Sequence, residues 1–159
     1  MSHGKLAAGF IVLTALAAGA AIYYLQVYAY YEPIPASASA AQIRLVSVAT
    51  GLPEMIPAED FEGIDAESSP LRFRGCFSTS VSLATLTETY AVYEDPTPLV
   101  APSWFSCFDA ERIGTDLETG DAVAFLSEAN LHPGVDRVVA VYPDGRAFAW
   151  HQLAPGATE

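Results

Sequence analysis

The chain has 159 residues, 52% of them hydrophobic, with a formal net charge of −12. That length allows one modest domain and an anchor, not a multidomain assembly. Such an acidic chain repels phosphate backbones, which argues against nucleic acid as a partner, and it is equally unattractive to anionic lipid.

The charge is distributed unevenly. Lys5 is the only Lys, Arg, Asp or Glu before Glu32, and all 19 acids and six arginines follow, so the C-terminal part carries −13. Leu6 to Leu25 holds Thr14 as its one polar side chain ahead of its tyrosines. At about 1.5 Å per residue this run matches a hydrocarbon layer of about 30 Å. Tyr23, Tyr24, Tyr28, Tyr30 and Tyr31 crowd its exit, where a ring can sit among acyl chains and a hydroxyl among headgroups. With Lys5 on the other flank, the positive-inside bias places the N-terminus in the cytoplasm and the rest of the chain outside.

A cleaved signal peptide is the rival reading, because Ala18-Gly19-Ala20 has a small-x-small cleavage pattern. Against it, apolar and aromatic residues continue through Tyr28, and a processed secretory protein has no use for that belt. Ala8, Ala15, Ala18 and Gly19 fall close to one helical face, and such a face lets a second helix approach closely within lipid. The plainer alternative is that alanine simply fills the anchor. These features predict a stub and anchor over residues 1–31, a Pro/Ala/Ser tether over 32–41, and a domain over 42–159.

Within the domain, Gln42 to Val48 alternates as a strand that Gly51 and Pro53 end. Met55 to Pro70 reads as loop with one short strand, and Leu71 to Ser78 as a second strand. Ser80 to Tyr93 stays open between a helix capped by Ser82 and a threonine-rich strand. Pro96, Pro98 and Pro102 mark a loop, after which Asp109 caps a helix that Gly120 stops. Ala122 to Leu126 is a strand. Arg137 to Tyr142 and Arg146 to Gln152 then flank the turn Pro143-Asp144-Gly145 as a hairpin. The expected fold class is α+β, a mostly antiparallel sheet with one or two helices behind a single transmembrane helix.

The residues that carry chemistry are few. Outside the cytoplasm, Cys76 and Cys107 are expected to form a disulfide, with two buried free thiols as the alternative. The pair has no Cys-x-x-Cys spacing for redox work. His3, His132 and His151 are too few for a structural zinc site. A copper set of His132, His151, one cysteine and Met55 is conceivable, but nothing in their spacing asks for it. There is no Gly-x-Ser-x-Gly elbow and no phosphate-cradling glycine loop. No cofactor or metal is therefore expected. Among the aromatic residues, Trp104 and Trp150 are candidates for a partner patch, against the plainer reading that they build the core.

The stretches Tyr23-Tyr24-Leu25-Gln26-Val27-Tyr28, Cys76-Phe77-Ser78-Thr79, Leu86-Thr87-Glu88-Thr89-Tyr90, Cys107-Phe108-Asp109-Ala110 and Asp136-Arg137-Val138-Val139-Ala140-Val141 carry a resemblance. Together they resemble an uncharacterised family of small membrane-anchored alphaproteobacterial proteins, filed as a domain of unknown function and sometimes mislabelled histidine kinase. A kinase needs a phospho-accepting histidine on a helical hairpin and a glycine-rich ATP lid, and the chain has neither. The resemblance implies a Gram-negative inner membrane and a periplasmic domain, and it transfers no catalytic residue.

The function expected from these features is non-catalytic: an accessory or assembly subunit of an inner-membrane complex, with a respiratory complex as one candidate host. Its expected partners are the lipid bilayer, integral membrane subunits and a basic periplasmic protein such as cytochrome c, drawn by the −13 domain. A periplasmic sensor or ligand-binding module is the alternative, and an enzyme the third reading.

Overall fold

The computed structural model describes residues 3–157, and the chain divides after Tyr31 into two units. The first is helix α1 (His3–Tyr24), continued by a π-helical turn over Leu25–Ala29. His3–Ala29 is long and apolar enough to cross a membrane, and no residue of α1 is buried against protein. The Thr14 hydroxyl donates to the Phe10 carbonyl at 2.8 Å, which satisfies it within the helix. The wide π turn gathers the tyrosines. Tyr28 meets Tyr23, five residues earlier, edge-on at 6.4 Å and stacks on Tyr24 at 5.9 Å.

In chain order the second unit contains β1 (Glu32–Pro33), β2 (Arg44–Val46), β3 (Pro53–Met55), β4 (Glu59–Asp65) and β5 (Arg74–Ser78). There follow α2 (Leu83–Thr89), α3 (Ala110–Thr119), β6 (Val123–His132), β7 (Val135–Val141) and β8 (Arg146–Leu153). Six strands form an antiparallel sheet in the order β1-β4-β5-β8-β7-β6, and β2 pairs with β3 in a second small sheet. Residues 90–92 join the two sheets through bridges from Ser47 to Tyr90 and from Val92 to Phe125. The architecture is the expected α+β class.

Strand alternation assigns each sheet face a different cover. One face packs Phe73, Phe77, Phe125, Val139, Val141, Ala147 and Ala149 into a core with Ile43, Leu45 and Ile56 around β2–β3 and with Leu86 of α2. The other face carries Arg74, Cys76, Phe148 and Trp150 beneath the loop before α3, whose Ile113 is buried. With both faces covered, all seven positions of β7 are buried.

Local chemistry explains the helices. The Ser82 side chain accepts from the Thr85 amide at 3.2 Å, which resolves the ambiguous segment as helix α2. Asp109 accepts from the Arg112 amide at 3.1 Å and caps α3, and Gly120 ends it at φ 81°.

Several segments differ from expectation, among them the strand expected over Leu71–Ser78, which begins only at Arg74. The proposed tether is partly ordered into the domain: Glu32–Pro33 pair with β4, the Ile34 amide donates to Gly63 at 2.8 Å, and Ile34 packs on the core. Its apolar Ile34 and the buried Ala41 give this stretch a packing role that its Pro/Ser content conceals. The strand expected over 42–48 narrows to Arg44–Val46, and Pro53 begins β3, where an edge position tolerates proline. The acid-rich 59–65 segment is a full strand, with Glu59, Asp60 and Glu62 exposed at its outer end. Finally, β6 runs on to His132 through two register shifts opposite β7.

Candidate functional site

The candidate residues fall on the sheet face beneath the loop that precedes α3. Register pairs Cys76 with Phe148 and Arg74 with Trp150 across β5 and β8, so all four side chains share that face. Cys76 is bonded to Cys107, which closes a sequence separation of 31 residues. Beside the disulfide, Phe108 meets Phe148 at 6.1 Å and Trp150 at 6.3 Å, both edge-on. Tyr142 completes the layer 5.7 Å from Phe148.

Two polar side chains fasten the loop to this layer. Buried Arg74 donates to the carbonyls of Leu71, Phe73, Leu99 and Val100 at 2.6–3.2 Å. Gln152 accepts from Trp150 Nε1 at 3.0 Å and from the Thr97 amide at 2.7 Å, and its Nε2 donates to Asp95 O. With the disulfide, three points of attachment hold the loop.

This geometry corrects the tryptophan patch. Trp150 is 0% exposed and is a core residue, so it cannot be presented to a partner; Trp104 is 37% exposed and lies edge-on to Phe105. Hairpin pairing places Trp150 on the covered face, and that face was not legible from spacing alone.

A cleft of about 180 Å³ opens next to the aromatic layer, lined by Cys107, Asp109, Arg112, Tyr142, Arg146 and Phe148. Its charges are largely matched. Arg146 pairs with Asp144 at 2.7 Å, and Arg112 lies 3.7 Å from Asp116, which also accepts from the Tyr142 hydroxyl at 2.7 Å. Burial and the Asp116 hydrogen bond raise the Tyr142 pKa, so the phenol stays protonated. Arg112 and Arg146 are exposed, while Arg74 and Arg137 are buried. The cleft thus holds two exposed guanidinium groups whose charges Asp116 and Asp144 offset, with the Asp109 carboxylate beside them.

A second cluster went unrecognised in the sequence. Arg137 and His151 are both buried, and Arg137 Nε donates to His151 Nε2 at 3.0 Å. His151 Nδ1 lies 2.7 Å from the Pro70 carbonyl, which can only accept, so Nδ1 carries the proton and the imidazole is neutral. Burial first, and then the Arg137 charge, hold the His151 pKa down at about 3. Burial lowers the Arg137 pKa, and the Glu128 charge opposes that shift from 3.7 Å away. Phe73 stacks on His151 at 4.6 Å and receives the Arg137 guanidinium on its ring at 4.2 Å. Both imidazole nitrogens are engaged, so this histidine has no free site for a substrate proton. The signal that could have found the cluster is Arg137 inside the strand Val135–Val141.

The conceivable copper set does not assemble. Both cysteines belong to the disulfide, and among the described residues no group of three or more His, Cys, Asp or Glu is placed to hold a metal. In the other unit, Ala8, Ala15, Ala18 and Gly19 are exposed on α1, as are Lys5, Tyr23, Tyr24 and Tyr30, while Tyr31 is half-buried.

The family model of DUF6446, a family of unknown function, matches residues 43–159. No curated protein and no solved structure matches the chain. The chain belongs to that family.

Proposed function

We propose that this DUF6446 protein is a non-catalytic accessory or assembly subunit of a bacterial inner-membrane complex, with its N-terminus cytoplasmic and its acidic domain periplasmic. One observation carries the reading: a helix apolar on every side precedes a domain braced by a disulfide. Disulfides persist in oxidising compartments, which supports a domain outside the cytoplasm, and Lys5 before the apolar run supports the same orientation. The face of Ala8, Ala15, Ala18 and Gly19 supplies the close-packing surface that an integral partner helix needs. A domain of −13 would steer a basic protein such as cytochrome c toward the assembly, and a respiratory complex is one such host.

The test is purification of tagged full-length protein from its native membrane in mild detergent, with mass spectrometry of what accompanies it. A stoichiometric set of integral membrane subunits supports the reading. A protein that runs alone overturns it.

The cleft beside Arg112 and Arg146 favours the second reading, a periplasmic sensor or module for a small ligand. That reading predicts a thermal shift with such a ligand, abolished by Arg112→Ala.

A further inference from the structure

The charged walls of the cleft come from two elements. Asp109 caps α3 and Arg112 lies in its first turn, while Arg146 begins β8. Tyr142 links the two walls. Its hydroxyl donates to Asp116 at 2.7 Å, Arg112 lies 3.7 Å from the same carboxylate, and the Arg146 guanidinium lies 4.7 Å over the Tyr142 ring. The two guanidinium groups therefore flank one phenol.

Each charged group is engaged on one side only. Arg112 meets Asp116 and Arg146 meets Asp144 through Nε, and among the described residues neither pair of Nη atoms donates a hydrogen bond. Asp109 accepts the Arg112 amide on Oδ1, which leaves Oδ2 without a donor among those residues. The cleft thus offers donors from two cations and an acceptor from one carboxylate. Net charge then selects the ligand. Arg112 and Arg146 stand among Asp109, Asp116 and Asp144, an excess of one negative charge in a domain of −13. A simple anion meets that field unfavourably, and a simple cation meets two guanidinium groups. A neutral molecule that carries both charges satisfies both sets.

We propose that the cleft takes the zwitterionic head of a free α-amino acid, its carboxylate between Arg112 and Arg146 and its ammonium on Asp109. The inference rests on the ligand-module reading above and names its ligand class. Guanidinium suits the carboxylate because its planar fork donates two hydrogen bonds in parallel. The ammonium is primary, because Asp109 needs an N–H to accept. Half-buried Phe148 and buried Ile113 line the remainder and favour an apolar side chain. At about 180 Å³ the cleft is smaller than the roughly 300–1,000 Å³ of sites for drug-sized ligands, so it takes one residue and not a peptide.

The test is isothermal titration of full-length protein in a mild nonionic detergent with three matched probes. These are L-leucine, isocaproate, which lacks its ammonium, and isoamylamine, which lacks its carboxylate. Leucine should bind about ten-fold more tightly than either analogue, since each analogue forgoes a charge-assisted hydrogen bond. Asp109→Asn, whose amide oxygen preserves the helix cap, and Arg146→Gln should each weaken leucine by a similar factor. The analogue comparison needs no variant, so it decides even where one fails to fold. An analogue that binds as tightly as leucine overturns the amino acid and leaves the small-ligand reading standing. Leucine affinity unchanged in both variants places its binding elsewhere and overturns the assignment. No heat from any of the three overturns the inference, and flat melting curves with a wider set of uncharged and singly charged small molecules overturn the ligand-module reading as well.

Discussion

Arg137 donates its Nε proton to Nε2 of His151 across 3.0 Å, so a guanidinium and an imidazole share a hydrogen bond inside the folded domain. The contact holds only while the imidazole is neutral, because a protonated ring would turn a second N–H toward the arginine. His151 ordinarily titrates near 6.5, and in the fold it does so at about 3. Above about pH 6.5 neither the folded nor the unfolded state carries this proton. As the pH falls from 6.5 toward 3, the unfolded chain takes up a proton that the folded chain refuses. Stability should then fall by up to about 1.4 kcal/mol per pH unit from this residue. Thermal melts at pH 7.5, 5.5 and 4.5 should show a steeper loss for the native protein than for His151→Gln, which has no proton to gain. Parallel pH profiles for the two would refute the coupling.

Arg74→Ala should destabilise the domain by about 2–4 kcal/mol, because it leaves carbonyls that one buried side chain now satisfies, those of Leu71, Phe73, Leu99 and Val100, without that donor. Arg74→Lys should recover little, since a point ammonium cannot reproduce the fork of donors. Denaturant midpoints of the three proteins measure the difference, and full recovery by lysine would reduce the role of Arg74 to its charge.

Reduction of Cys76–Cys107, or the double change Cys76→Ser with Cys107→Ser, should remove about 3–4 kcal/mol through a loop of 31 residues. Thiol-reactive reagent added to intact cells should label neither cysteine until reductant is present. Free thiols in freshly lysed cells would contradict an oxidising location.

Gly145→Ala should be more harmful than Gly120→Ala. Both residues have positive φ, 88° and 81° respectively, so each change costs about 1 kcal/mol in backbone strain. A Cβ at Gly145 would also stand 2.7 Å from the Thr79 carbonyl oxygen, whereas nothing lies within 4 Å at Gly120. The Thr79 amide donates to the Gly145 carbonyl at 2.9 Å, so the neighbour is itself held in place. Urea midpoints should rank native, Gly120→Ala and Gly145→Ala in decreasing order.

Ala15→Leu with Gly19→Leu keeps the apolar length of α1 and fills its small-residue face. Membrane insertion should be unchanged, while recovery of co-purifying integral subunits falls. Retention of those subunits at native yield would remove this face from the proposed docking.

The elements legible in the sequence were those with a local cause. Asp109 and Gly120 bracket α3 by capping chemistry that needs no tertiary context, and Pro143-Asp144-Gly145 turns β7 into β8 wherever the hairpin lies. Helix α1 was legible from the length and apolarity of its run. What escaped depended on neighbours. Seven residues with four acids, Glu59–Asp65, form a strand because β5 supplies a ladder beside them and their exposed acids remain at the rim. Leu71–Phe73 alternates like a strand, yet the Leu71 and Phe73 carbonyls accept from Arg74 and regular pairing begins only at Arg74. The Arg137–His151 contact joins two strands whose register had to be known first.

The sheet order carries a consequence for how the chain is made. β8 follows the other seven strands along the chain, yet it lies between β5 and β7 and, among the described residues, supplies the ladder that joins the β1-β4-β5 half of the sheet to the β6-β7 half. A nascent domain lacking the residues after Asp144 holds two strand groups with no ladder between them, however long it waits. Closure of the sheet is therefore deferred until the second arm of the β7–β8 hairpin has been delivered. A truncation after Asp144 should then be as damaging as one before β6.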